Sequence, residues 1–585
     1  MATTERVSTP DGVTLAVRRY GDPAAPTVVC VHGYPDNASV WDNVVPLLAK
    51  RYHVVTYDVR GAGESDRPRD RAAYRLDVLV EDLNAVLDAV SPDRPVHLLG
   101  HDWGSIQCWH GVTGERLGGR VASFTSISGP CLDHVGAWMR SRLRPNIRSL
   151  RELTRQLASS VYIGFFLIPL LPELAWRLGI VGRILERLNR AENGPGASQA
   201  DTSPRLADAV SGLRLYRANM LSRLGGPERR RTDVPVQVLA PDRDRFVTAP
   251  LQADVGRWAQ DVRVRRMRGG HWLPRSRPAA VAGCVDELVE HVTGGPESRS
   301  LRRSRVTGSR RAGRFADQLV VVTGAGSGIG RATALAFAAH GADVLAVDID
   351  ADTAERTAAL ARQFTVDAAS YAVDVSDAAA MADFAERVRA AHGVPDVVVN
   401  NAGVAVAGSF VDTTVSDWER VVDVNLWGVI HGTREFAAQM LDRAEGGRIV
   451  NVASAAAYLP SRNLAAYSAT KAAVHQLSEC VRGELASSGI GVITVCPGVV
   501  NTNITRTTRF VGLDGTAEDA SRVNAVRAYQ RRNFSPDRVA REILNAVQHN
   551  TALVPVTPEA KVALVLSRLT PGVLRAGAKL DLRPR

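Results

Sequence analysis

The chain has 585 residues, 45% hydrophobic and 23% charged, which is too long for one hydrophobic core and too apolar for disorder, so at least two globular domains are expected. A net charge of +11 invites nucleic acid, but the arginines are dispersed and neither zinc-ligand spacing nor an aromatic-interleaved basic strand accompanies them, which argues against a nucleic-acid reader. Six cysteines, at 30, 108, 131, 284, 480 and 496, form no C-x-x-C pair, and MATTERVSTPDG lacks the regions of a signal peptide, so buried thiols in a cytoplasmic compartment are expected.

In the first half, the runs Thr27 to Val31, His53 to Tyr57, Val96 to Leu99 and Val234 to Leu239 read as strands. They alternate with helical stretches such as 77 to 90, the pattern of a sheet covered on both faces. Directly after Leu99, Gly100-His101-Asp102-Trp103-Gly104 is a small-x-nucleophile-x-small elbow with Asp102 at its tip. A serine attacking an alkyl carbon would leave a stable ether. A carboxylate leaves an ester that water can cleave, so Asp102 fits substrates with an sp³ electrophilic carbon, such as epoxides or alkyl halides.

Around that elbow, His32-Gly33-Tyr34-Pro35 offers the Tyr34 backbone N–H, which with that of Trp103 makes a candidate oxyanion hole. Further on, Asp244 in PDRDRFV is the candidate acid, with Asp242 as its alternative, and His271 in GGHW is the candidate base. Residues 136–232, helical in pattern, are the candidate cap. Their apolar run VYIGFFLIPLLP is too short and proline-broken to span a bilayer needing ~20 residues, although peripheral contact with lipid is compatible with it.

HGYP at 32, DVRGAGES at 58, GHDWG at 100 and GGHW at 269 together resemble the epoxide hydrolases of the α/β-hydrolase fold, over residues 1–294. That resemblance implies two cap tyrosines that hold the epoxide oxygen and donate a proton; Tyr162 in YIGFFLIPLLPE and Tyr216 in YRAN match them. The family often has a glutamine where this chain has Leu167, a departure that makes the cap greasier and points to a lipidic substrate. Haloalkane dehalogenases are similar in design but need a second halide donor, often asparagine or tryptophan, where this chain has Tyr34 or the cap tyrosines; epoxide opening is preferred.

Residues 295–314, GPESRSLRRSRVTGSRRAGR, carry seven arginines among serines and glycines with no apolar period, the pattern of a solvated linker. Beyond them, Leu319 to Val322 reads as a buried parallel strand running into a glycine loop, with Gly324, Ser327, Gly328, Ile329 and Gly330 placed to meet a pyrophosphate at a helix N-terminus. The strand Val344 to Val347 ends in Asp348, whose carboxylate suits ribose hydroxyls and would repel a 2′-phosphate, so NAD is favoured over NADP. Asp374-Val375 and Asn401-Ala402-Gly403 follow at later strand ends. Then come Asn425, Ser454 after the strand Ile449 to Val452, Tyr467, and Lys471 one helical turn beyond it, where its charge is expected to lower the pKa of the tyrosine.

This set resembles the short-chain dehydrogenase/reductases over residues 315 to about 556. The resemblance implies that Tyr467 exchanges the proton, Ser454 holds the substrate oxygen, Lys471 also binds the nicotinamide ribose and Asn425 supports the proton relay. Pro497-Gly498, with Val500 close behind, matches the loop beside the nicotinamide. The tail, 557–585, mixes apolar and basic residues and would lie on a membrane or pack on its own domain or a subunit partner; the resemblance also implies a homo-oligomer.

The expected architecture is therefore α/β throughout: an α/β-hydrolase fold with a helical cap, then a Rossmann-type doubly wound parallel sheet. The expected activity is bifunctional, epoxide hydrolysis to a vicinal diol and NAD-dependent alcohol/carbonyl oxidoreduction on small-molecule or lipid substrates, with no metal. The alternative is a dehydrogenase carrying a non-catalytic lipid- or membrane-docking module.

Overall fold

The computed structural model describes residues 3–193, 204–308, 312–513 and 515–577. The chain divides into two compact units, Met1–Ser309 and Arg310–Arg585.

The first unit is built on strands β1 (Thr3–Ser8), β2 (Thr14–Tyr20), β3 (Thr27–Val31), β4 (His53–Tyr57), β5 (Val96–His101), β6 (Val121–Ile127), β7 (Val236–Pro241) and β8 (Val262–Met267). They form one sheet in the order β1-β2-β4-β3-β5-β6-β7-β8. Pairing is parallel from β4 onward, and β2 meets β1 and β4 antiparallel. Strands β3, β4 and β5 are buried at every position, which explains why they read as unbroken apolar runs instead of alternating ones. Between β6 and β7 the chain leaves the sheet for a cap that shows six helices among the described residues, from Leu132 to Gly225, so the cap begins and ends a few residues earlier than its sequence boundaries.

The arginine-rich stretch corrects the sequence reading. Residues 295–308 are docked on the first unit: Ser298 caps a short helix, Arg299–Arg303, whose Leu301 is fully buried. Arg305 then makes an antiparallel bridge to Arg263 of β8, and Glu297 pairs with both guanidiniums at 3.0 and 2.8 Å. One leucine, one carboxylate and an open sheet edge outweigh a composition that looked solvated.

Among the described residues, the main sheet of the second unit has seven parallel strands, β9 (Leu319–Thr323), β10 (Asp343–Asp348), β11 (Ala368–Ala372), β12 (Val397–Asn400), β13 (Gly447–Val452), β14 (Ile490–Cys496) and β15 (Leu553–Pro555). Their order is β11-β10-β9-β12-β13-β14-β15, with the reversal of winding between β9 and β12. The tail boundary at 557 also shifts. Thr557 caps a helix, Pro558–Leu569, that seats Ala560 and Ala563 in the core, and Glu559 accepts the Val499 N–H at 3.1 Å. That helix is part of the dehydrogenase unit; residues 578–585 lie outside the described ones.

Candidate active sites

Asp102 sits where β5 turns into the helix Trp103–Val112, with φ 49° and ψ −121°. A non-glycine residue in that conformation is strained, and such strain concentrates at functional turns. It is tolerated because the neighbours are small: a Cβ on Gly104 would lie 2.2 Å from the Val31 carbonyl oxygen, and one on Gly33 would collide with the Asp102 carboxylate. The turn thus drives the carboxylate toward the ends of β3, β7 and β8.

There the predicted partners meet it. The Tyr34 N–H donates to Asp102 Oδ1 at 2.7 Å, and His271 Nε2 lies 3.6 Å from Oδ2. On the other ring nitrogen, Nδ1 is 3.2 Å from both oxygens of Asp244, whose carboxylate also accepts the N–H groups of Phe246 and Val247 at 2.8 and 2.9 Å. Burial disfavours the charged imidazole, yet Asp244 and Asp102 outweigh it and hold His271 well above the usual histidine range. Burial likewise opposes the charge on Asp244, and His271 with the two amides keeps it below the ordinary carboxylate range. Asp242, the alternative acid, is turned to Arg268 at 2.5 Å instead.

Across from Asp102 the cap presents Tyr162 and Tyr216, whose rings meet edge-on at 6.1 Å, with the Trp103 ring edge-on to Tyr216 at 4.9 Å. The Asp102 charge helps to push both phenols upward, after the larger effect of burial, so each stays protonated. The Tyr34 hydroxyl accepts from Trp176 Nε1 at 2.8 Å, and its ring meets Phe166 and Tyr216 edge-on at 5.7 and 5.3 Å. Leu167 packs on this same cluster.

Sequence reasoning missed Glu192. It ends the cap helix Ile180–Asn193 and is 1% exposed. Its Oε2 accepts the His271 N–H at 2.8 Å, its Oε1 accepts the Arg245 N–H at 3.1 Å, and burial, then Asp244, raise its carboxyl to about 7. One carboxylate thereby ties the cap to both catalytic loops. Gly270 leaves room for it, since a Cβ there would fall 2.1 Å from Oε2. No local motif surrounds Glu192, so only the long-range packing reveals it.

In the second unit, β9 turns at Gly324 (φ +64°) into the helix Gly328–Ala339. Gly324, Gly326 and Gly330 allow no larger residue: added Cβ atoms would lie 2.8 Å from Ala402 Cα, 2.7 Å from Asp348 Oδ2 and 2.0 Å from the Gly324 oxygen. Asp348 accepts the Gly326 N–H at 2.8 Å, and Asn401 donates to the carbonyls of Thr323 and Gly324 at 3.0 and 3.2 Å, locking the loop. Ser327 stands at the helix N-cap without a side-chain capping bond, so the first-turn N–H groups are left for a ligand. A polar cavity of about 310 Å³ opens there, lined by Ser327, Gly328, Arg331 and Thr502 among others. These features fit a dinucleotide pyrophosphate. Ile329 packs on the core behind the loop. Asp374 is exposed and accepts the Ser376 N–H at 2.9 Å, with Val375 buried beside it.

Asn425 lies in a π-helical turn, Asp423–Trp427, where it exchanges two 2.9 Å hydrogen bonds with the Val404 backbone just past Gly403. Ser454 Oγ accepts the Ala456 N–H at 3.2 Å, and Lys471 Nζ lies 5.8 Å from the Tyr467 ring centre while donating to the Val452 carbonyl at 2.9 Å. Here the expected electrostatics are corrected. Burial pushes Tyr467 up to about 12, only partly opposed by Ser454, and pushes Lys471 down to about 8. The ammonium that was to acidify the tyrosine is itself destabilised by desolvation and held by a carbonyl. Behind Pro497, Gly498 packs against Thr557 and Glu559, and Val500 is buried.

The alpha/beta hydrolase fold family model matches residues 26–154 and the short chain dehydrogenase model matches residues 318–510. Along the whole length, the chain is 42% identical over 584 residues to "Probable oxidoreductase EphD" of Mycobacterium tuberculosis, covering 98% of each protein. The chain belongs to the EphD family. This chain joins a hydrolase-fold unit to a short-chain dehydrogenase unit, so the protein is a two-domain enzyme. The EphD-type second unit is also 31% identical over 255 residues to the C alpha-dehydrogenase of Sphingobium, covering 43% of this chain and 84% of that protein. Among solved structures, a short-chain dehydrogenase from Burkholderia phymatum in complex with NAD is 29% identical, with a TM-score of 0.42 and 46% and 97% of the two chains covered.

Proposed function

We propose that the protein is a bifunctional enzyme that hydrolyses a lipidic epoxide to a vicinal diol and oxidises an alcohol with NAD. The observation that carries the first half is the division of labour on Asp102: Oδ1 rests on the Tyr34 N–H and Oδ2 faces His271. Oδ2 attacks an epoxide carbon, the ring C–O bond breaks, and the freed oxygen takes a proton from the Tyr162–Tyr216 pair. His271 Nε2 then removes a proton from water, and the hydroxide adds to the Asp102 ester carbon. The oxyanion that forms is Oδ1, already held by the Tyr34 N–H, with that of Trp103 as its expected second donor. Collapse expels the diol oxygen, which is protonated from the imidazolium while Asp244 stabilises that cation, and the proton left on the Asp102 carboxyl returns to the tyrosinate.

In the second unit, the bound nicotinamide supplies the hydride acceptor. Tyr467 takes the hydroxyl proton, Ser454 fixes the oxygen through its Oγ, and Asn425 holds the relay beside Lys471. Asp348 at the end of β10 supports NAD over the 2′-phosphorylated form, since two anions would meet there.

The two reactions suit one another, because a diol is an alcohol. A fatty epoxide supplied with NAD should give a hydroxyketone that disappears in both Asp102→Asn and Tyr467→Phe; ketone surviving either change sinks the tandem reading. For the first step alone, a single turnover in ¹⁸O-water should place the heavy atom in the side chain of residue 102. Label found only in the diol would rule out the aspartyl ester.

A further inference from the structure

Cap helices of a soluble hydrolase are expected to be apolar toward the sheet and polar toward water. Here large apolar side chains are exposed as well. In the helices Ile147–Ser159, Val161–Leu167 and Leu171–Arg177, the inward residues Leu153, Phe166 and Trp176 are buried. Outward, Ile147 is 89%, Val161 71%, Leu170 79% and Leu174 52% exposed. Leu171, Leu174 and Leu178 recur at helical spacing, and Ile180 and Ile184 continue the pattern on the next helix, Ile180–Asn193.

Arginines are interleaved with these ridges. Residues 140–190 hold ten arginines against Glu152, Glu173 and Glu186, a net charge of +7 with no lysine, aspartate or histidine. Arg148, Arg155, Arg177, Arg183, Arg187 and Arg190 are exposed. Among the described residues no single helix is long and apolar enough to cross a membrane, and the pair Ile147–Leu167 and Leu171–Arg177 is bent by 96° at its break. The segment is therefore a succession of short helices lying across the cap.

We propose that this outer cap face docks on the surface of an anionic lipid bilayer, with its leucines and isoleucines entering the acyl boundary and its arginines meeting lipid phosphates. The charge selects this occupant. A second copy of the chain would set +7 against +7 across the contact, and a nucleic-acid backbone would leave the leucines without an apolar partner. Long arginine side chains suit such a boundary, because their stems lie along apolar surface while the guanidinium reaches the headgroups.

The docked face is also the back of the active-site wall. Tyr162 and Phe166 face inward from the helix that exposes Val161, and Trp176 from the helix that exposes Leu171 and Leu174. One helix diameter, about 10 Å, thus separates the bilayer from the aromatic pocket around Asp102. Resting on the epoxide reading above, the inferred substrate is an epoxide on an acyl chain taken from the bilayer; the docking itself does not depend on that reading.

Sedimentation of the full chain with vesicles tests the surface. Binding to phosphatidylcholine vesicles containing phosphatidylglycerol should exceed binding to pure phosphatidylcholine by at least about tenfold, and should weaken with salt. Leu170→Asp with Leu174→Asp, both at exposed positions, should abolish it, and Arg148→Ser with Arg155→Ser and Arg187→Ser should reduce it about tenfold. Asp102→Asn should bind as the wild type does. Turnover of a short soluble epoxide should be unchanged in the leucine variant, while turnover of a vesicle-borne fatty epoxide should fall. Equal binding to both vesicle types, unaltered binding by the leucine variant, or a dimer in light scattering that the leucine variant dissolves would overturn the proposal. Vesicle binding together with inert epoxides would preserve the docking and remove the hydrolase reading.

Discussion

The two catalytic centres bury a basic nitrogen to similar depth and reach opposite electrostatic results. His271 has a carboxylate on each ring nitrogen, at 3.2 and 3.6 Å, and is held well above its ordinary range. Lys471 has the Val452 carbonyl as its partner and falls to about 8. A unit charge about 4 Å away is worth about 4 kcal/mol at the dielectric effective near a protein surface, which is enough to reverse the burial of an imidazole; a neutral carbonyl supplies much less. The difference matches the tasks. On the function proposed above, cleaving an aspartyl ester calls for a base that can become a buried cation beside an anion, whereas moving a proton together with a hydride leaves a neutral alcohol or ketone and builds up no such pair of charges.

Removing the anion from the first centre should break this contrast most severely. Asp244→Asn should slow diol release about 10⁴-fold, with the substrate ester accumulating on Asp102 in intact-mass spectra. Because His271 must be neutral to activate water, hydrolysis in the wild type should rise with pH through its raised pKa and fall as that pH is approached from above; in the variant the residual rate should keep its value to lower pH. Next in size, Tyr467→Phe should lower oxidoreduction about 10²- to 10⁴-fold while epoxide hydrolysis, followed in the same chain, is unchanged.

Glu192 offers a finer cut. Glu192→Ala frees the backbone of His271 and Arg245 from the cap, and a misplaced base should lower kcat about 10²-fold with little change in KM. Glu192→Gln should do less harm and leaves a distinct trace. The carboxyl rises from 4.5 to about 7 on folding, so the native state holds the extra proton and stability contributed by this group falls as pH rises from about 4.5 to about 7. The urea midpoint of the glutamine variant should lack that decline. Smallest of all, Asp348→Ala should narrow the preference for NAD over NADP by roughly tenfold, the order of one charged hydrogen bond, read as the ratio of kcat/KM values.

Both centres were legible because their chemistry is written in short segments. GHDWG, GGHW and the Tyr467 to Lys471 turn combine a chemical group with the glycine or helical spacing that positions it, so strand ends and site residues emerge together. The arginine-rich stretch was misread for the opposite reason. Its fate hangs on Leu301 and Glu297, which count for little in a composition but fill a hole and pair two guanidiniums once β8 is in place. The tail helix was cut off for the same cause, since Glu559 matters only when the Val499 N–H is beside it.

By itself the sequence determined two α/β units, the places of Asp102, His271 and Tyr467 at strand ends and on a helix, and the glycines of the loop after β9, because each depends on neighbours within a turn or two of chain. Tertiary structure alone decided which of Asp242 and Asp244 faces His271, that Glu192 joins the cap to the base, that Lys471 gives way to burial, and that the cap shows leucine to the outside. Those outcomes rest on distances between residues far apart in the chain, and the energies that settle them, desolvation against charge, exist only after the chain has closed around them.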